Sequence, residues 1–167
     1  MIDDEREIDF EVNKKAFDKA IAFLTRRDHT ESEIQGKLSK SGFSETDIQA
    51  VIDKLAEYGY VNDEDFAKRY LDSLIQKGKG RFAIREAMNQ KGLAASLVAN
   101  TIEDGYSREK EFENAEKLAN KVIDDNSDVK DTMKLTSKVN RRLLGRGFSY
   151  EIISDVMSCV RERIKNV

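Results

Sequence analysis

Three glycines, Gly42, Gly92 and Gly147, each sit at the centre of one recurring apolar pattern. A large apolar residue follows each directly: Phe43, Leu93 and Phe148. Leu38, Met88 and Leu143 stand four positions before, and Ile34, Ile84 and Val139 eight before. Ile48, Val98 and Ile153 stand six after, and Ile52, Ile102 and Met157 ten after. Positions four apart share a helix face, so the pattern reads as helix, turn, helix. The glycine falls where a helix ends in a left-handed residue. Five apolar columns around a fixed glycine are more than chance supplies. They constrain the chain to tandem copies of one helical unit.

Start signals agree. Thr30 and Glu33 have the spacing of a capping box. Ser44 with Asp47, and Asn62 with Asp65, offer similar helix starts. A further amphipathic segment precedes each glycine-centred pair. It is marked by Phe17, Ile21 and Leu24 in the first unit and by Phe66, Tyr70, Leu71 and Leu74 in the second. Phe112, Ala115, Leu118 and Val122 mark it in the third. The expected fold class is all-α: three tandem three-helix repeats, about nine helices, in an elongated, curved arrangement. The predicted spans are 14–27, 31–41, 45–58, 63–76, 81–91, 94–104, 108–124, 131–145 and 149–165. No segment alternates for long enough to predict a sheet. The repeats are placed at 14–60, 61–106 and 107–167, after an acidic flexible tail over 1–13.

Composition fits an extended array better than one thick core. The 167 residues are 37% charged and 39% hydrophobic, so little apolar material is available to bury. Proline, the strongest helix breaker, is absent. The single Cys159 excludes an internal disulfide framework and a cysteine-based zinc site. A lone thiol suits a reducing cytoplasm. Met1-Ile2-Asp3-Asp4-Glu5 is acidic where a signal peptide is basic, and no apolar run approaches the roughly 20 residues that span a bilayer. A cytoplasmic protein without membrane association is expected. With no heptad run, a monomer is expected.

The net charge of −3 conceals strong local asymmetry. Residues 1–13 carry a net −5, whereas residues 68–91 carry +5 and residues 134–147 hold five bases and no acid. Charge on helices is commonly just a solvated face. Here it gathers by block. Lys77-Gly78-Lys79-Gly80-Arg81 stands directly before a helix start, where backbone amides receive an anion such as a phosphate or carboxylate. The competing reading of that string is a plain flexible connector.

Catalytic motifs fail on inspection. Gly78 and Gly80 lack the later Gly-Lys-Ser/Thr of a phosphate-binding loop and follow no predicted strand. Asp124, Asn126 and Asp128 imitate the start of a calcium loop, but Val129 stands where its glycine belongs and Leu135 where its glutamate belongs. His29, the sole histidine, is expected in an exposed turn with a structural or surface role. Cys159, between Met157 and Val160, is expected in the core. No catalytic residue, cofactor site or metal site is predicted.

Particular strings then carry a resemblance. Arg27-Asp28-His29-Thr30-Glu31-Ser32-Glu33-Ile34 with Lys37-Leu38 resembles the first-repeat signature of the RecX family. Tyr58-Gly59-Tyr60-Val61-Asn62-Asp63 with Phe66-Ala67 resembles its junction of first and second repeats. Lys77 to Gly80, Ile84-Arg85-Glu86 and Asn89-Gln90-Lys91-Gly92-Leu93 are similar to its second repeat. Lys138-Val139 and Leu143-Leu144-Gly145-Arg146-Gly147-Phe148 are similar to its third. The resemblance spans roughly residues 15–165 in order.

It implies a non-enzymatic regulator of the RecA recombinase. Such a protein binds in the groove of the RecA–single-stranded DNA filament. There it restrains filament extension, ATP hydrolysis, strand exchange and LexA cleavage. Resemblance and charge together nominate Lys77, Lys79, Arg81, Arg85 and Lys91 as contacts in the second unit. Arg141, Arg142 and Arg146 follow in the third, with Arg27 and Lys37 in the first. DNA is a further expected partner, bound weakly and salt-dependently. The alternatives are a helical-repeat protein that binds nucleic acid directly and a generic helical scaffold.

Overall fold

The structure is a computed structural model that describes residues 12–165. The acidic tail expected over 1–13 lies almost entirely outside them. Among the described residues there are nine helices and no strand. In order they are α1 (Lys14–Arg26), α2 (Glu31–Lys40), α3 (Glu45–Glu57), α4 (Asp63–Gln76) and α5 (Arg81–Gln90). Then follow α6 (Ala95–Gly105), α7 (Arg108–Asp124), α8 (Thr132–Gly145) and α9 (Tyr150–Lys165).

Most of the helices start where side chains satisfy their first amides; α6, which follows Ala94, has no side-chain cap. Thr30 and Glu33 make the full capping box, and Ser44 accepts from the Asp47 amide. Asn62 accepts from the Asp65 amide at 3.0 Å. Asn13, Ser107 and Asp131 cap α1, α7 and α8 in the same way. Gly42, Gly92 and Gly147 take φ of +87°, +73° and +77°, the left-handed exit that the repeat required.

The chain folds into two compact units. The first runs up to Phe66 and includes Lys91–Leu93; the second holds Ala67–Gln90 and the chain from Ala94 onward. In the first, α1, α2 and α3 bury Ala16, Ala20, Ile34, Leu38, Ile48, Val51, Ile52 and Leu55. In the second, α7, α8 and α9 bury Ala115, Ala119, Val139, Leu143, Ile153, Val156, Met157 and Val160 among others. Each fully buried Leu or Ile contributes about 1.5–3 kcal/mol. All twelve helix positions of the glycine-anchored columns are buried.

Two local expectations, for His29 and Cys159, need correction, and in α1 and α7 the innermost residues differ in part from those that mark the segments. Phe17, Ile21 and Leu24 are only half-buried, while Ala16 and Ala20 have no exposure. In α7 the innermost line is Glu111, Ala115, Ala119 and Ile123, flanked by Phe112, Leu118 and Val122. Small residues occupy both seams because they let helix backbones approach closely, and the large side chains pack to either side. His29 is buried at 5% exposure, not in an exposed turn. Its Nδ1 lies 2.9 Å from the Arg27 carbonyl and its ring packs near Phe23. Burial lowers its pKa, with the Arg27 carbonyl opposing that shift. Cys159 is exposed, because the apolar stripe of α9 follows Val156, Met157 and Val160 and leaves the thiol beyond its edge.

Candidate functional site

In the first unit, the nominated bases Arg27 and Lys91 converge on one acid. Arg27 Nη1 donates to Glu33 Oε2 at 3.0 Å, and Lys91 Nζ donates to Glu33 Oε1 at 2.9 Å. Thr30 Oγ1 donates to the Lys91 carbonyl at 2.7 Å, and the Glu31 amide donates to Asp63 Oδ1 at 3.0 Å. Lys37 places its ammonium 4.9 Å from the Phe23 ring centroid. These three bases are thus engaged within their own unit.

Burial opposes ionisation of Glu33, but hydrogen bonds from Arg27, Lys91 and the Thr30 amide outweigh it and bring its pKa to about 2. A carboxyl with a depressed folded pKa contributes stability above its unfolded value and loses it as pH falls through the folded one. The Glu33 contribution is therefore complete above its ordinary value of 4.5 and lost towards about 2. Glu31 and Asp63 shift upward, chiefly through burial, so their ionisation acts in the opposite sense. Comparing wild type with Glu33→Gln isolates the Glu33 part. Amide exchange in α2 should show a wild-type advantage near neutral pH that shrinks steadily below pH 4.5. An advantage independent of pH would reject this account.

In the second unit, the glycine-rich string before α5 is a pinned turn. The Gly80 amide donates to the Arg146 carbonyl at 2.9 Å, and the Phe82 amide donates to the Gly147 carbonyl at 2.9 Å. The Arg81 amide does receive an anion, but it is the chain's own Glu111, at 3.0 Å. The same Glu111 oxygen accepts from the Ser149 amide at 3.2 Å. One carboxylate, 2% exposed, thus caps the N-termini of α5 and α9 together.

This joint repeats the one in the first unit. Thr30 and Gly80 each stand twelve positions before a repeat glycine, Gly42 and Gly92. Lys91 and Arg146 each stand directly before one, Gly92 and Gly147. A threonine hydroxyl makes the first contact and a glycine amide the second.

The nominated bases of this unit divide into two sets. Arg81 faces inward: Nη2 donates to the Tyr106 carbonyl at 2.5 Å, Nε to Glu111 Oε2 at 3.4 Å and Nη1 to Glu103 Oε2 at 3.4 Å. Arg146 Nη1 donates to the Lys77 carbonyl at 3.0 Å. Lys79 is half-buried, and its carbonyl accepts from the buried Tyr106 hydroxyl at 3.1 Å. Lys77, Arg85, Arg141 and Arg142 are exposed.

Arg141, Arg142 and Arg146 come together with Lys138 in one open cleft of about 470 Å³. Asp125 and Asn126 at the end of α7 form its opposite wall, and Lys138 Nζ donates to Asn126 Oδ1. The spacing of 138, 141 and 142 on one helix face was a readable signal for adding Lys138 to the set. Nothing local signalled the α7 wall.

Among the described residues no group of His, Cys, Asp and Glu is placed to hold a metal ion. No helix there is long and apolar enough to cross a membrane. What the arrangement offers is a concentration of exposed guanidinium and ammonium groups suited to phosphates or an acidic protein surface.

Comparison with known proteins is consistent across the chain. The first, second and third three-helix domains of RecX match residues 16–55, 62–102 and 109–157. The regulatory protein RecX of Clostridium botulinum strain Alaska E43 is 33% identical over 144 residues, covering 86% of this chain and 67% of that protein. The regulatory protein RecX of Listeria welshimeri is 34% identical over 140 residues, covering 83% of this chain but only 51% of that protein. The chain thus spans about half the length of the Listeria relative. The crystal structure of RecX from Lactobacillus salivarius superposes with a TM-score of 0.79 at 23% identity, covering 92% of this chain and 96% of that one. A second crystal structure of regulatory protein RecX gives a TM-score of 0.73 at 27% identity, covering 92% of this chain and 72% of that one. With three successive three-helix domains matched and a relative above 30% identity over most of both lengths, this chain belongs to the RecX family.

Proposed function

We propose that this chain is a non-catalytic regulator that binds the RecA–single-stranded DNA filament in its groove. There it restrains filament extension, ATP hydrolysis, strand exchange and LexA cleavage, acting in the cytoplasm as a monomer. The observation that carries the reading is the cleft on α8, where Lys138, Arg141, Arg142 and Arg146 concentrate positive charge on a chain whose net charge is −3. Such a concentration suits a surface rich in phosphates or carboxylates and leaves the rest of the molecule without a general affinity for nucleic acid. Lys77 and Arg85 extend the contact set. Arg27, Lys91 and Arg81 serve it indirectly, by fixing the joints.

The test is ATP hydrolysis by RecA already assembled on single-stranded DNA at physiological salt. Substoichiometric inhibition is expected. Reversing Lys138, Arg141 and Arg142 to glutamate should raise the concentration for half-inhibition at least tenfold and flatten its salt dependence. Inhibition unchanged by that reversal would remove the cleft from the site, and no inhibition at any ratio would overturn the reading. Direct nucleic-acid binding is the second reading, favoured by the phosphate-matching chemistry of the same cleft. It predicts inhibition that vanishes when excess DNA is supplied.

A further inference from the structure

Two aromatic side chains in the second unit are left unusually open. Phe82 is 47% exposed and Tyr150 is 75% exposed, yet they lie against each other with ring centroids 6.2 Å apart and planes at 59°. Single exposed aromatics are ordinary. A pair from two different helices is harder to dismiss, because the fold must bring them together. Here the joint does so. The Phe82 amide is held by the Gly147 carbonyl, three residues before Tyr150, and Glu111 caps both helix starts.

The surroundings are basic. Arg85 is exposed one turn along α5 from Phe82. The Gly80 amide rests on the Arg146 carbonyl, and the Arg146 guanidinium holds the Lys77 carbonyl. Arg146 in turn lines the cleft with Lys138, Arg141 and Arg142. Two acids are adjacent in sequence: Glu86, which accepts from Gln90, and the exposed Glu151. Bases outnumber them, and an open aromatic pair beside cations is the combination that takes an unstacked nucleobase while its phosphates meet the charges.

We infer that Phe82 and Tyr150 form a stacking platform for bases of a single-stranded nucleic acid whose backbone runs over the α8 cleft. A duplex hides its base faces within the stack and shows only edges, so the platform selects single strands. This inference rests on the reading that the second unit meets a nucleoprotein filament, and it names the strand itself as what the aromatic pair touches.

The test uses the full chain without RecA, so that its result stands apart from the filament assay. Fluorescence anisotropy of a labelled oligothymidylate of roughly 20 nucleotides is followed at low salt. The wild type should bind it and bind the matching duplex more weakly. Phe82→Leu with Tyr150→Leu keeps apolar bulk and removes the π faces. It should weaken single-strand binding about tenfold while leaving the slope against salt unchanged. In a second measurement, photocrosslinking of wild-type protein to a bromouridine-substituted strand should map to Phe82 or Tyr150. No binding of the strand, equal affinity of the leucine variant, or crosslinks confined to other residues would each overturn the platform. If any of these occurs while RecA inhibition persists, the platform falls and the filament reading stands.

Discussion

Gly80→Ala should lower the stability of the second unit by about 3–4 kcal/mol, one of the largest effects any single methyl group has in this chain. A Cβ on Gly80 would lie 2.2 Å from the Phe148 amide nitrogen, 2.3 Å from the Phe148 Cα and 2.4 Å from the Gly147 carbonyl carbon. All three are backbone atoms of the α8–α9 turn, so no side chain can rotate out of the way. Relief requires the turn to move, and two hydrogen bonds end on it: Gly80 amide to Arg146 carbonyl and Phe82 amide to Gly147 carbonyl. Overpacking costs about 1–3 kcal/mol and each lost hydrogen bond about 1 kcal/mol. Gly36→Ala is the matched control. Gly36 lies within α2 with no neighbour within 4 Å of an added Cβ, so alanine there should stabilise by about 0.5–1 kcal/mol. Urea unfolding, with amide exchange at Gly80 and Phe82, decides the matter. A loss below about 1 kcal/mol, or unchanged protection of those amides, would show that the joint is softer than its geometry.

The parts of this molecule legible in its sequence are those set by local pattern. The twelve buried positions around Gly42, Gly92 and Gly147 are a local, periodic property, and every helix boundary fell within one residue of its predicted span. Capping by Thr30, Ser44 and Asn62 is equally local, since each needs only a partner three residues on. The misreadings arise where the deciding partner is distant. Ala16 and Ala20 outrank Phe17 in burial because other helices close on them, which α1 alone does not reveal. Arg81 and Arg85 are alike in sequence, one turn apart on α5, yet only Arg81 meets Tyr106 and Glu111, residues 25 and 30 positions away. Charge blocks therefore identified the basic segments but did not sort exposed bases from inward braces. The α8 cleft is half legible in the same sense: Lys138, Arg141 and Arg142 share a helix face, whereas Asp125 and Asn126 join them only through packing.

Glu111 is the extreme case, and its replacement makes the second large prediction. In Arg108-Glu109-Lys110-Glu111-Phe112 it looks like any solvated acid in a first helical turn. In the fold it accepts from the amides of Arg81 and Ser149 and from Arg81 Nε. Glu111→Ala removes a cap from two helices, about 1 kcal/mol each, and leaves Arg81 short of a counter-charge. The Arg81 side chain is 21% exposed and keeps Glu103 and the Tyr106 carbonyl, so that last cost is reduced. The expected total is about 3 kcal/mol, read as a fall in the urea midpoint of the second unit. Glu111→Gln retains a carbonyl oxygen for both amides and should cost about half as much. The distinction between charge and cap is sharpest in the double variant Arg81→Met with Glu111→Met. A buried ion pair is often replaceable by apolar residues of similar size. Two uncapped helix amides are not, because no apolar side chain accepts a hydrogen bond. The double variant should therefore stay about 2 kcal/mol below wild type. Full recovery would mean that Glu111 acts chiefly as the counter-charge of Arg81, and that the N-termini of α5 and α9 tolerate the loss of their shared cap.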